Sequence, residues 1–165
     1  MSEVAEAHSP AWSWLGLRLV NTGESTAVVE MTPTADMANH SGVVHGGIIS
    51  ALADSAMGRS LRTLKPGVIR AVSFDLKLTF IAVAKIGEDL RATGKVVHAG
   101  RRTVVTECRI DDRDGKLVAT ASATFAVTRD KEKTSANSSN APLTSLPPEG
   151  GGGPGADLTQ CRPIR

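Results

Sequence analysis

Between residues 72 and 80 the chain alternates strictly. Val72, Phe74, Leu76, Leu78 and Phe80 are apolar, and Ser73, Asp75, Lys77 and Thr79 stand between them. A period of two belongs to a strand with two unlike faces. Three weaker strand signals follow. Residues 89–98 (DLRATGKVVH) alternate less cleanly, and residues 102–110 and 116–127 flank Asp111-Asp112-Arg113-Asp114-Gly115, whose Asp-Gly pair signals a hairpin. Upstream, residues 17–30 predict two short strands around Asn21-Thr22-Gly23-Glu24. Between these groups, residues 45–64 form an apolar stretch rich in Ala and Leu, too long for one strand. It predicts a helix. Arg59, Arg62 and Lys65 suit its negative end, and Pro66-Gly67 stops it. The expected order is two strands, a long helix, then four strands in a meander. One apolar helix on one antiparallel sheet is an α+β arrangement, with the sheet wrapped around the helix.

Composition changes near residue 129. From there to residue 165 large apolar residues are scarce, and Ser, Asn, Pro and Gly dominate. Such a segment buries too little surface to offset its ordering entropy. The expectation is one domain over 1–128 and a disordered tail over 129–165. The tail's GGGGPG run is no phosphate loop, because no Gly-Lys-Ser/Thr follows it. The net charge of +2 argues against nucleic-acid binding through bulk charge, and 3% aromatics without tyrosine argue against base stacking. No apolar run approaches the ~20 residues of a membrane span. The first ten residues, MSEVAEAHSP, lack the basic-then-apolar order of a signal peptide. These readings, with two cysteines (Cys108 and Cys161) expected to stay reduced, predict a soluble cytoplasmic protein.

The helix raises the chemical question. Asp54 sits inside it, and Gly46-Gly47 stand at its entrance after His45. A buried carboxylate is costly unless paired or hydrogen-bonded. Asp54 therefore either pairs with an arginine or serves as a nucleophile or general base. The glycines either let the chain turn tightly or expose the N–H groups of the helix start to a substrate carbonyl, stabilising an oxyanion there. Gly46 and Asp54 are eight residues apart, ~12 Å along a helix. One carbonyl cannot touch both in one chain, so a shared reaction requires Asp54 from a second subunit of a two-fold dimer. His40 and His45 lack a partner carboxylate pattern, so neither a metal nor another cofactor is expected. Cys108 has no partner histidine; Trp12 and Trp14 either line an acyl pocket or, as the expected reading, pack on a sheet edge.

Asn39, His45-Gly46-Gly47, Asp54 and the strand VSFDLKLTF, in their order and spacing, resemble the hotdog-fold thioesterases of the PaaI type. The resemblance covers residues 14–128. It implies a long helix wrapped by an antiparallel sheet, in dimers that often pair into tetramers, and hydrolysis of acyl-CoA thioesters, many of them aromatic. It casts Asp54 as nucleophile or general base acting from the opposite subunit, and the Gly46 N–H as the group that polarises the carbonyl. Asn39 would hold the attacking water or the carbonyl region, Ser73 would place water near Asp54, and His45 would position its neighbours. Gly47 would line the CoA site. This chain reads IAVAKIGE after Phe80, where many relatives have a proline.

A CoA substrate also needs a phosphate grip. Arg101 and Arg102, after Ala99-Gly100 in a predicted tight turn, are the candidates. Phenylacetyl-type, hydroxybenzoyl-type and medium-chain acyl groups all fit these signals. Two other classes share the fold: a non-catalytic acyl-CoA-binding or regulatory domain, and a dehydratase or hydratase built on a histidine. The first would need no Asp54; the second would recruit His45.

Overall fold

The computed structural model describes residues 9–65 and 67–129. The predicted tail lies outside these residues, apart from Arg129, which ends the last strand. The order is α1 (Pro10–Leu15), β1 (Arg18–Gly23), β2 (Thr26–Met31), α2 (Gly46–Ser60), β3 (Val68–Phe80), β4 (Leu90–Ala99), β5 (Thr103–Asp112) and β6 (Leu117–Arg129). Short 3-10 turns occupy Ala35–Met37 and Leu61–Thr63. The six strands form one antiparallel sheet in the order β1-β2-β4-β5-β6-β3. This is the expected α+β hotdog arrangement.

The predicted four-strand meander is not what forms. β4, β5 and β6 make a meander, but β3 joins beyond β6 and does not pair with β4. The segment between them, residues 81–89, is too long for a tight hairpin and crosses the end of the sheet instead. Ile81 and Ala82 donate their N–H groups to Val118 O at 2.8 and 3.1 Å, and Gly87 N–H reaches Pro33 O at 2.8 Å. Val44 N–H binds Ala84 O at 3.1 Å, which ties this crossover to the start of α2.

The short α1 was not predicted, because six residues are too few to show a period. Its punctuation was present: Ser9 Oγ accepts the Trp12 N–H at 3.4 Å, Pro10 opens the helix, and Gly16 closes it with φ 62°.

Along α2 the buried positions are Ile49, Leu52, Ala53, Ala56, Met57 and Ser60. That is one stripe at helical spacing, pressed into the sheet. Burial of Leu52 and Met57 contributes about 1.5–3 kcal/mol each. The sheet does not cover every side of the helix, however. Ala51, Asp54, Ser55 and Gly58 form a second stripe that is only half-buried. The inner stripe comes so close to β4 that the backbones touch. A Cβ on Gly94 would overlap the Ala56 carbonyl and lie 2.6 Å from the Met57 nitrogen.

Nor does the period of two run unbroken through β3. The register with β6 shifts by one between Ser73 and Asp75. Before the shift Ser73 pairs with buried Phe125; after it Leu76, Leu78 and Phe80 pair with buried Ala123, Ala121 and Ala119. Directly paired residues share a face. Ser73 therefore lies on the helix side with Leu76, Leu78 and Phe80, while Asp75, Lys77 and Thr79 lie on the other side. Val72 and Phe74 stay 68% and 62% exposed.

Gly94→Ala should lower stability by about 1–3 kcal/mol or more, since backbone on both sides must shift. Urea unfolding of the variant checks this, and an unchanged midpoint would contradict the close approach.

Candidate active site

α2 carries both ends of the candidate site, and the two ends open into different clefts. Asp54 faces a cleft of about 480 Å³. Ser55 and Gly58 from α2 line it, with Ser73 from β3, Phe125 from β6 and Trp12 from α1. The Asp54 Oδ1 oxygen is buried and has no hydrogen-bond partner among the described residues. A buried acceptor left unmatched is costly in a structure that satisfies nearly all its polar groups. It is a natural place for water or a reacting group. Two guanidinium-bearing residues, Arg59 and Arg62, also line it. Arg59 lies over the Trp12 ring, 4.9 Å from its centroid, and Arg62 donates to Val68 O and Ile69 O at 3.0 and 3.3 Å.

The other cleft sits at the start of α2. Asn39, Gly46, Ile49, Phe80, Ala82 and Val83 are among its lining residues, and it is mostly apolar. His45 is the N-cap of α2, and its Nδ1 accepts the Gly47 N–H at 2.9 Å. Accepting there leaves the imidazole proton on Nε2. The Gly47 N–H is thus already engaged, whereas the Gly46 N–H has no hydrogen-bond acceptor among the described residues. Asn39 Oδ1 accepts from Ser41 N–H at 2.9 Å and Val43 N–H at 3.4 Å, an Asx turn that shapes the loop into α2. Its amide NH2 remains for the cleft.

Phe80 was missed as a site residue. Its ring tip would stand 2.9 Å from a Cβ on Gly46. The glycine admits the ring, and both line the same cleft. The only sequence signal was its position at the end of an alternating strand.

The structure therefore brings Asp54 and Ser73 together, and Asn39, His45, Gly46 and Gly47 together, but keeps the two groups apart. Ser73 and Phe80 are seven positions apart on β3, ~23 Å of extended chain. Arg101 and Arg102 are exposed in the bend between β4 and β5, where Gly100 N–H binds Thr103 O at 2.9 Å. That bend is at the Ser73 end of the sheet, since Val104 pairs with Phe125. Neither arginine side chain has a hydrogen bond or ion pair with another described residue. Trp14 is 66% exposed, and Trp12 belongs to the Asp54 cleft instead of a sheet edge. Among the described residues no group of His, Cys, Asp or Glu could hold a metal ion. No described helix is long and apolar enough to cross a membrane.

Comparison with known proteins agrees with this architecture. Residues 41–119 match the thioesterase superfamily model. The acyl-coenzyme A thioesterase PaaI of Escherichia coli is 33% identical over 105 residues, 64% of this chain and 73% of that protein. Human acyl-coenzyme A thioesterase 13 is 29% identical over 104 residues, 62% of this chain and 74% of that protein. The solved structure of E. coli PaaI, from the phenylacetic acid degradation operon, superposes with a TM-score of 0.68 at 29% identity, covering 73% of this chain and 85% of that one. The chain belongs to the thioesterase superfamily, in its PaaI-type hotdog branch, and is a thioester hydrolase of the acyl-CoA thioesterase family.

Cys108 plays no part in either cleft's chemistry as a nucleophile. Burial, reinforced by the Asp111 carboxylate, pushes its thiol up to about 12. At pH 8 the thiolate fraction is then ~10⁻⁴. In a Cys161→Ser background the folded protein should leave Ellman's reagent unreacted at pH 8 and release one equivalent of colour on unfolding. Rapid reaction of the folded protein would contradict the burial.

Proposed function

We propose that the protein hydrolyses an aromatic or medium-chain acyl-CoA to the free acid and CoA at sites shared between two copies of the chain. The observation that carries this reading is the unpartnered, buried Asp54 Oδ1 in the same cleft as Ser73, with the unengaged Gly46 N–H in another. The thioester carbonyl oxygen binds at the Gly46 N–H, at the positive end of α2. Asn39 steadies the carbonyl or the attacking water, and His45 holds the helix start in place. Asp54 takes a proton from water or attacks the carbonyl carbon itself, and Ser73 positions the water. The carbon–sulfur bond breaks, CoA leaves as a thiolate, and water supplies the oxygen of the acid. Preorganised N–H donors at the developing oxyanion lower the barrier most.

β3 favours the assembly this requires. It is an edge strand with exposed apolar side chains, a surface that invites pairing. Antiparallel pairing with β3 of a second copy, about a two-fold axis at Lys77, pairs like faces (Leu76 with Leu78) and, with Phe74 bulged out, sets Ser73 opposite Phe80. Each Asp54 cleft then meets the other copy's Gly46 cleft, at two sites per dimer. Two dimers assemble into the tetramer common among such enzymes. Residues 1–128 form the catalytic domain. Arg101 and Arg102, and secondarily Gly47 beside the oxyanion donor, bind CoA, the arginines through its phosphates. A CoA thioester substrate and reduced thiols fit a cytoplasmic enzyme.

Free-thiol release from a panel of aryl- and alkyl-CoA esters should show turnover on at least one. Asp54→Asn should lose about 10²-fold or more in kcat; full activity in that variant would sink the mechanism. The shared site has its own test. Asp54→Asn and Gly46→Ala homodimers should each be nearly inactive, yet co-refolded mixtures should recover about a quarter of native activity, because half the dimers then hold one intact site of two. No recovery on mixing, or an active monomer, would refute the sharing.

A further inference from the structure

β3 carries one residue more than its partner at the point where it enters the Asp54 cleft. Ser73 pairs with Phe125 and Asp75 with Thr124, so Phe74 opposes no residue and bulges outward. Without the bulge the alternation of β3 would put Ser73 on the same face as Asp75, Lys77 and Thr79. The extra residue is what turns Ser73 towards α2 while keeping Leu76, Leu78 and Phe80 on the helix side. Bulges beside active sites commonly re-aim a side chain in this way. A bulge also interrupts the ladder, and the Thr124 N–H stands beside it. Asp75 meets it with its side chain: Oδ1 accepts the Thr124 N–H at 3.1 Å, across the strands.

We propose that Asp75 is a positioning residue, whose carboxylate pins the β3 bulge and thereby holds Ser73 facing Asp54. Asp75 is exposed and lies on the opposite face of the sheet from the cleft. It lies outside the cleft and acts through the backbone. A carboxylate suits the task because its oxygen accepts from a main-chain N–H across the strands at the bulge. The proposal rests on the reading of Ser73 as the residue that places the attacking water.

The test compares Ser73→Ala, Asp75→Ala, Asp75→Asn and the Ser73→Ala/Asp75→Ala double variant in the full chain. For each, kcat and KM on the best CoA ester, oligomeric mass by light scattering, and hydrogen exchange at the Thr124 amide are measured. Ser73→Ala and Asp75→Ala should each lower kcat about tenfold, the scale of one lost hydrogen bond to a charged or reacting group. KM should stay within about twofold of native, the mark of an effect confined to the reacting centre. The double variant should be no slower than Ser73→Ala alone, because the two substitutions remove one function. Asp75→Asn keeps an acceptor oxygen and should stay within about twofold of native in kcat. The Thr124 amide should exchange faster in Asp75→Ala than in Asp75→Asn, with oligomeric mass unchanged. Native kcat in Asp75→Ala, or losses that multiply in the double variant, would overturn the proposal. A change of oligomeric mass in Asp75→Ala would reassign its effect to the interface, which also overturns it. Native kcat in Ser73→Ala would remove Ser73 from the reaction and Asp75 with it, leaving the Asp54 and Gly46 assignments standing on their own variants.

Discussion

The contact between α2 and Gly94 sets the depth at which the helix lies in the sheet. Side chains normally hold a helix and a sheet about 10 Å apart. Here the Ala56–Met57 peptide rests on the backbone of β4. The inner stripe of α2 can then be small and still be sealed, with Ala53 and Ala56 fully buried beside Leu52 and Met57. A helix seated so deeply is gripped along one stripe only, and its other stripe stays accessible. Asp54 belongs to that second stripe. Its place inside an apolar helix costs less than it would in a sealed core, because its face opens into a cleft where water or substrate can reach it.

Strand β3 does for the site what α2 cannot do alone. It runs past both clefts, with Ser73 at one end and Phe80 at the other, on the helix side of the sheet at each. A regular strand could not present both a polar serine and the apolar Leu76, Leu78 and Phe80 to the helix, given their odd and even positions. The one-residue bulge reconciles them. The same rigidity that seals the core separates the two clefts: the Asp54 carboxylate in the polar one, the Gly46 N–H and the Phe80 ring in the apolar one. In the proposed dimer, the exposed edge of β3 is where one cleft meets the other.

Much of this was legible residue by residue. The helix over α2, the Asp-Gly turn between β5 and β6, and the strands either side of them announced themselves through period, length and turn chemistry. The separation of Gly46 from Asp54 followed from helical rise alone. The alternation of residues 72–80 was legible too, but its obvious meaning, one apolar face and one polar face, was wrong for Ser73. The place of β3 in the sheet was equally hidden, since neighbours in sequence are the ordinary expectation for antiparallel strands. Trp12 over Arg59 and Phe80 over Gly46 join residues far apart in the chain, and nothing local marks them.

By itself the sequence determined what depends on a few consecutive residues: which segments become helix or strand, where α1 is capped by Ser9 and Gly16, and that a carboxylate stands two turns beyond a glycine-rich helix start. Those features follow from short-range sterics and hydrogen bonds, which each segment carries with it. Tertiary structure alone decided the sheet order, the bulge that turns Ser73 inward, and which side chains line the cleft at each end of α2. These rest on pairings between distant strands, whose register is chosen by burial of the whole sheet face against α2. A one-residue shift between β3 and β6 leaves the composition of either strand unchanged, yet it decides which side chains face Asp54.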